Sequence, residues 1–380
     1  MSASSSSAAS AATVSPVLST VTTSNFTVQF TRPGRLITEV DTSPGSSPST
    51  PLVVVSGNPA IAYFDSTNAD LKYVRATDAA GMSWGTPLSV DTAGDVGRDP
   101  SLAVVAGNPA IAYFDGTNLD LKYVRATDAT GTSWGAPLSV DTAGDVGWFP
   151  SLAVVAGNPA IAYFDVTNLD LKYVRATNAE GTSWGTPIGV DTAGNVGYYP
   201  SLAVVAGNPA IAYHDSTNYS LKYVRATDAA GTSWGTPIGV DATGNAGYYP
   251  SLVVIAGNPA IAYFDLTYGL KYVRATDAAG TSWGVPISLD TATFYVSLAV
   301  VAGNPAIGYA GGNGDLKYVR ATNAAGTSWG TPVSVDTVGG LSAVSLAAIA
   351  GNPAISYSSS QLKYVSASPG AFVNWIAVAP

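Results

Sequence analysis

The chain has 380 residues; 47% are hydrophobic and 11% charged, with 16 Lys and Arg against 25 Asp and Glu for a net charge of −9. The apolar material is ample for a core, while the acidic balance excludes sequence-independent binding to nucleic acid or anionic membrane, which needs a basic face. Without cysteine there are no disulfides and no thiolate metal sites, and no apolar run is long enough for a membrane-spanning helix.

Residues 1–12, MSASSSSAASAA, read as a flexible small-residue tail, with neither the basic nor the apolar region of a secretory signal. TVSPVLSTVTTSNFTVQF (13–30) alternates as strands do, as does AFVNWIAVAP (371–380) at the other end. Both are expected to form a small β-element, with 13–34 pairing with 371–380. Between them the chain repeats itself. GNPAIAYFD begins at Gly57, Gly107, Gly157 and Gly257, with variants GNPAIAYHD at Gly207, GNPAIGYAG at Gly303 and GNPAISYSS at Gly351. The spacing is 50 residues four times, then 46, then 48.

Each unit holds four short segments rich in Val, Ala, Leu, Ile and Tyr, bounded by Gly, Pro, Asn or Asp: PSLAVVAG, NPAIAYFD, LKYVRAT and WGTPLSVD. That is a strand-and-turn signature without helical periodicity. Four strands in about 50 residues make one blade of a β-propeller. The LKYV strands at Leu71, Leu121, Leu171, Leu221, Leu270, Leu316 and Leu362 give seven. The expected fold is therefore all-β, a seven-bladed propeller of four-stranded blades over residues 35–370.

Blade seven lacks a fourth strand in sequence order. RLITEVD (35–41) ends eleven residues before Leu52, as TPLSVD ends eleven before Leu102, so the N-terminal strand is expected to close the ring and remove a free sheet edge. The rival for that slot is the C-terminal segment, because Trp375 follows Val365 by ten residues as Trp84 follows Val74.

The turn TDAAGTSW resembles the Asp-box of sialidase-like propellers, with Asp78, Gly81, Ser83 and Trp84 in the family's order and one extra residue between Asp and Gly. The resemblance implies a structural turn, with the Asp side chain holding backbone N–H groups and the Trp wedged against a neighbouring blade. A sialidase would also need an arginine triad, a tyrosine–glutamate pair and an acid. The chain has two glutamates, Glu39 and Glu180, and its arginines recur once per blade from Arg75, where they are expected to pair with loop aspartates. No catalytic residue, metal site or cofactor is expected. DTAGDVG, from Asp91, reads as an acidic turn rather than a calcium loop.

The copies differ mainly on one face, where the loops joining strands two to three and four to one meet. Ser66, Gly116, Val166, Ser216 and Leu266 vary at one position, and Ala69, Leu119, Leu169 and Tyr219 at another. Before the first strand the pair changes from Arg98-Asp99 to Trp148-Phe149, Tyr198-Tyr199, Tyr248-Tyr249 and Phe294-Tyr295. Large aromatics in such loops suit sugar stacking or partner docking; alternatively they plug the central channel or pack between blades. The ligand-binding candidates are Trp148, Phe149, Tyr198, Tyr199, Tyr248, Tyr249, Tyr219 and His214, the last standing where its counterparts are Phe64, Phe114 and Phe164.

The repeat resembles bacterial seven-bladed lectins, and the terminal segments resemble the short β modules of bacteriophage tail-fibre and other virion proteins. These resemblances imply a non-enzymatic module on a virion or outside the cell that binds a glycan or surface receptor. Other assembly subunits would contact the terminal β-element; neither nucleic acid nor membrane insertion is implied. The second reading is a purely structural disc; the third is a sialidase-like hydrolase.

Overall fold

In the computed structural model the described residues are 20–22, 25–27, 36–42, 49–291, 293–337 and 339–367. They form seven four-stranded antiparallel sheets, one per repeat, and a short hairpin of Thr20–Thr22 with Asn25–Thr27; none of them is helical. Blade three is representative: Val146–Val155, Asn158–Asp165, Asp170–Arg175 and Ile188–Asp191 pair in sequence order. The first strands of neighbouring blades adjoin, and Ala343–Ile349 of blade seven returns to Leu52–Val55 of blade one. Leu36–Asp41 pairs with Leu362–Ser366 as the fourth strand of blade seven, so the N-terminal strand closes the ring. The 1–12 tail and the expected partner of the terminal β-element, 371–380, lie outside the described residues.

The repeated phrase is explained by its two faces. Along a strand successive side chains point oppositely, and PAIAY therefore puts two alanines on one face and Ile and Tyr on the other. Ala60 and Ala62 of blade one share a buried cluster with Ile111 and Tyr113 of blade two. Ala110 and Ala112 of blade two meet Ile161 and Tyr163 of blade three in the same way. Small residues on one face accept large ones from the next blade, so each copy is complementary to itself. The core is accordingly seven clusters, each between two blades, rather than one. The last joins Val40, Leu362 and Tyr364 of blade seven to Leu52, Ile61 and Tyr63 of blade one.

Polar groups repeat the scheme. The Ser101 hydroxyl accepts from the Leu152 backbone N–H at 3.0 Å, and Ser345 does the same for Leu52 at 3.1 Å across the closure. Asp91, expected as part of an acidic turn, is an interblade acceptor. Tyr113 of the next blade donates to it at 2.6 Å, and Lys122 lies 3.3 Å from Asp91 and 2.9 Å from Asp115. Asp41 of the closing strand takes the same position towards Tyr63 and Lys72. The repeated arginines do not pair with loop aspartates as expected. Arg75 donates to the backbone carbonyls of Val55 and Ser56, each at 2.8 Å, tying the turn between the first two strands of its own blade. Planar guanidinium forks suit two adjacent carbonyls as well as they suit a carboxylate.

Burial pushes the Asp115 carboxyl up, but hydrogen bonds from Asn118 and Lys122 outweigh it and hold the group below the usual carboxylate range; Asp165 and Asp215 behave alike. Lys122, disfavoured by burial, is raised by Asp115 and Asp91. The aspartate contribution is complete above the unfolded carboxylate value near ~4 and is lost as pH falls through the lower folded value. The lysine contribution is complete below its ordinary value of ~10.4 and is lost as pH rises through the higher folded one. The clasps should therefore act uniformly from about pH 5 to pH 10, with a steep drop in melting midpoint below about pH 4. Asp141→Ala should cost about 2–4 kcal/mol at neutral pH, because it leaves the buried Tyr163 hydroxyl without its acceptor. Thermal melts across pH check both statements, and an unchanged midpoint in the variant would remove the clasp from the account.

Candidate functional site

The variable pairs sit where the first strand departs from its ladder. Trp148 is opposite Phe164 and pairing resumes only at Ser151 opposite Ala162; Tyr198 is opposite His214 and pairing resumes at Ser201. Such bulges re-aim side chains. The second member of each pair has left-handed backbone: φ is 49° at Asp99, 53° at Phe149, 53° at Tyr199, 48° at Tyr249 and 50° at Tyr295. A bulky residue there costs about 1–3 kcal/mol and persists only where its surroundings hold it.

The bulge sends the two members of a pair in different directions. First members wedge between blades. Trp148 packs on Phe114 of the previous blade with centroids 4.8 Å apart, its indole N–H donating to Asp145 at 2.6 Å. Tyr198 packs on Phe164 at 4.0 Å, Tyr248 on His214 at 4.1 Å and Phe294 on Phe264 at 4.8 Å, while Arg98 lies 5.4 Å above Phe64. Second members converge on the mouth of the ring. Phe149, Tyr199, Tyr249 and Tyr295 form a fan, with successive centroids 4.4, 4.2 and 4.9 Å apart and ring planes inclined 46°, 36° and 48°. They line a depression of about 210 Å³ together with Asp99 and Ser49.

Stacking within the fan covers the faces of the middle rings, so the mouth is offered ring edges and hydroxyls. Burial raises the hydroxyls of Tyr199, Tyr249 and Tyr295 above the ordinary phenol value. Asp99 is 9% exposed, and burial, opposed by the nearby Arg98, pushes its carboxyl up to about 7. What the arrangement provides is hydrogen-bond donors and acceptors at the end of an apolar wall.

The sequence candidates therefore divide. Phe149, Tyr199 and Tyr249 line the mouth; Trp148, Tyr198 and Tyr248 are half-buried and wedge between blades. Tyr219 is exposed on the loop between the second and third strands and is not among the residues lining the mouth. His214 requires correction: it lies beneath the rim, 2% exposed, with Tyr248 over its ring. Its Nδ1 is 2.8 Å from the Ala246 carbonyl, which makes that nitrogen the donor, and desolvation lowers its pKa, so it is a neutral packing residue. The mouth is also lined by residues outside the sequence candidates, among them Asp99, Tyr295 and Ser49. Their signal in the sequence is the column itself, which places Asp99, Phe149, Tyr199, Tyr249 and Tyr295 in register at the second position of each pair.

On the opposite face the aspartate turns are fully committed. Asp128 accepts from the N–H groups of Thr130 and Ser133 at 2.9 and 2.7 Å, and the Trp134 indole N–H donates to the Gly131 carbonyl at 2.9 Å. Trp134 meets Tyr73 of the preceding blade edge to face at 5.1 Å. A Cβ on Gly131, whose φ is +76°, would stand 2.6 Å from that tyrosine, so only glycine allows this approach.

No family model matches the chain, and no curated protein matches it. Among solved structures it is similar to an ulvan lyase of polysaccharide lyase family PL25 bound to -[GlcA(1-4)Rha3S]- (12% identity, 90% of this chain and 98% of that one, TM-score 0.58). It is also similar to YCF48 bound to D1 peptide (13% identity, 91% and 97%, TM-score 0.57) and to a protein of unknown function from Dyadobacter fermentans (12% identity, 87% and 98%, TM-score 0.53). At these identities the likeness is one of fold, the β-propeller.

If the fan is maintained for something other than stability, removing one of its rings should be tolerated. Tyr199→Gly relieves the left-handed strain while losing half-buried packing, and its melting midpoint should move by no more than about 1 °C. Trp184→Ala, which opens a gap between blades beside Tyr123, should cost about 2–4 kcal/mol and lower the midpoint by about 3–6 °C. Equal losses in the two variants would make the fan a structural plug.

Proposed function

We propose that this protein is a non-enzymatic recognition module that binds the end of a glycan at the mouth of its ring, displayed on a virion or cell surface. The observation that carries the reading is the run of five successive blades holding left-handed, mostly bulky residues around an open depression. Left-handed residues also recur in the turns of the blades, as at Ala106 and Leu119, but those at the mouth are mostly large rings gathered around one open space, and strain so held is a mark of function. Tyrosine hydroxyls and a carboxyl beside an apolar wall match a sugar's alternation of hydroxyl and C–H surface. The ulvan lyase of similar fold is bound to a saccharide, which supports the choice of ligand class.

The non-enzymatic part rests on what the mouth offers. Glycoside hydrolysis ordinarily uses two facing carboxyl groups. Among the described residues lining the mouth there is one, Asp99. Glu39 lies in the closing strand and Glu180 in a turn between the third and fourth strands of blade three.

A glycan array on the purified protein tests the reading. Tyr249→Phe, which keeps the ring and removes only the hydroxyl of the fan's middle tyrosine, should weaken binding about 5- to 30-fold with an unchanged melting midpoint. Binding that survives this change but is lost in Tyr219→Ala would move the site to the outer rim. An array without a hit would leave the structural disc as the better reading.

A further inference from the structure

Asp99 is anomalous among the buried aspartates. Asp65, Asp115, Asp165, Asp215 and Asp265 each lie within 2.9 Å of a lysine. Asp99 has no ion pair or hydrogen bond among the described residues. Its cationic neighbour, Arg98, is forked onto Asp95, with Nε at 2.9 Å and Nη2 at 2.5 Å. The described residues that line the mouth include no Lys, Arg or His. A carboxyl in a depression without its counter-ion is costly to ionise, and a ligand that supplies a cation would remove that cost.

We infer that the mouth selects an amino sugar, whose ammonium group docks on Asp99 while its hydroxyls meet the Tyr199, Tyr249 and Tyr295 hydroxyls. This rests on the glycan reading and narrows it. Placement supports it: Asp99, Tyr199, Tyr249 and Tyr295 line the same depression. The volume of about 210 Å³ admits one sugar residue and not a chain. The groups facing Asp99 are Arg98, paired with Asp95, and the three tyrosines, which stay neutral because burial raises them.

Two dependences on pH follow, with opposite signs for binding and stability. The ammonium needs the ionised carboxylate, and Asp99 titrates near 7. Affinity should therefore be about 50-fold higher at pH 7 than at pH 5, with a proton released on binding near neutrality. For stability, a folded value raised above the unfolded one of about 4 means that the favourable term is complete below about pH 4 and lost as pH rises through about 7. Asp99→Asn, always neutral, should melt above the wild type at pH 8, and the difference should shrink as pH falls and vanish only below about pH 4.

The test is NMR and calorimetric titration of the full chain with glucosamine and galactosamine, their N-acetyl counterparts, glucose, and ethanolamine. The amino sugars should bind at least tenfold tighter than the N-acetyl forms at pH 7, and Asp99→Asn should abolish that preference while still binding neutral sugar. Equal binding of amino, N-acetyl and neutral sugars would overturn the amine inference and leave the glycan reading standing. Ethanolamine binding as tightly as glucosamine would overturn the sugar part, and no binding by any probe would overturn both. A wild-type affinity independent of pH between 5 and 7 would by itself remove Asp99 from recognition.

Discussion

The structure depends on one constraint: both faces of every blade must be covered by a neighbour. The second strand is buried along almost its whole length on both sides, from Pro59 to Asp65 in blade one. A single blade of this kind would expose two apolar faces, and an open row of seven would still expose one at each end. Closing the ring removes both. That is why the closing strand comes from the far end of the chain. Leu36–Asp41 places Val40 in the cluster with blade one and Asp41 against Tyr63 and Lys72, completing the only interface that the repeat order leaves unfinished.

Self-complementarity explains the near-identity of the copies. A change at Ile111 would have to be matched at Ala60 and Ala62 of the preceding blade, and Tyr113 is bound in turn to Asp91. Each repeated residue answers to two blades, so its freedom is small. Residues near the axis answer to a different geometry, because there all seven copies converge on one space and need not be alike. The same column supplies Asp99, Phe149, three tyrosines and the small Ser49, producing one asymmetric mouth from symmetric parts.

Where local and global preferences agree through most of a fold, the exceptions are informative. Two stand out in the described part of this ring. One is the line of left-handed residues that aims the fan inwards. The other is Asp99, buried without the lysine that its counterparts in the clasps receive. Both lie at the same mouth, and neither improves stability. Their coincidence separates the mouth from the interblade wedges of Trp148, Tyr198 and Tyr248, which are equally aromatic but are satisfied by packing on Phe114, Phe164 and His214.

The sequence by itself determined the blades, their number, the strand order and the closing strand, because period-two patterning, turn residues and repeat spacing are local quantities written along the chain. It also identified the variable face. It did not separate Trp148 from Phe149, place His214 below the rim, reveal Asp91 as an interblade acceptor, or show that Arg75 binds carbonyls. Those outcomes depend on which way a side chain leaves a bulge and on what the next blade presents to it, at separations such as the 31 residues between Asp91 and Lys122. Asp99 shows the difference most plainly: in sequence it is one more loop aspartate, and only the convergence of the strands on an axis leaves it mostly buried at the mouth without a lysine.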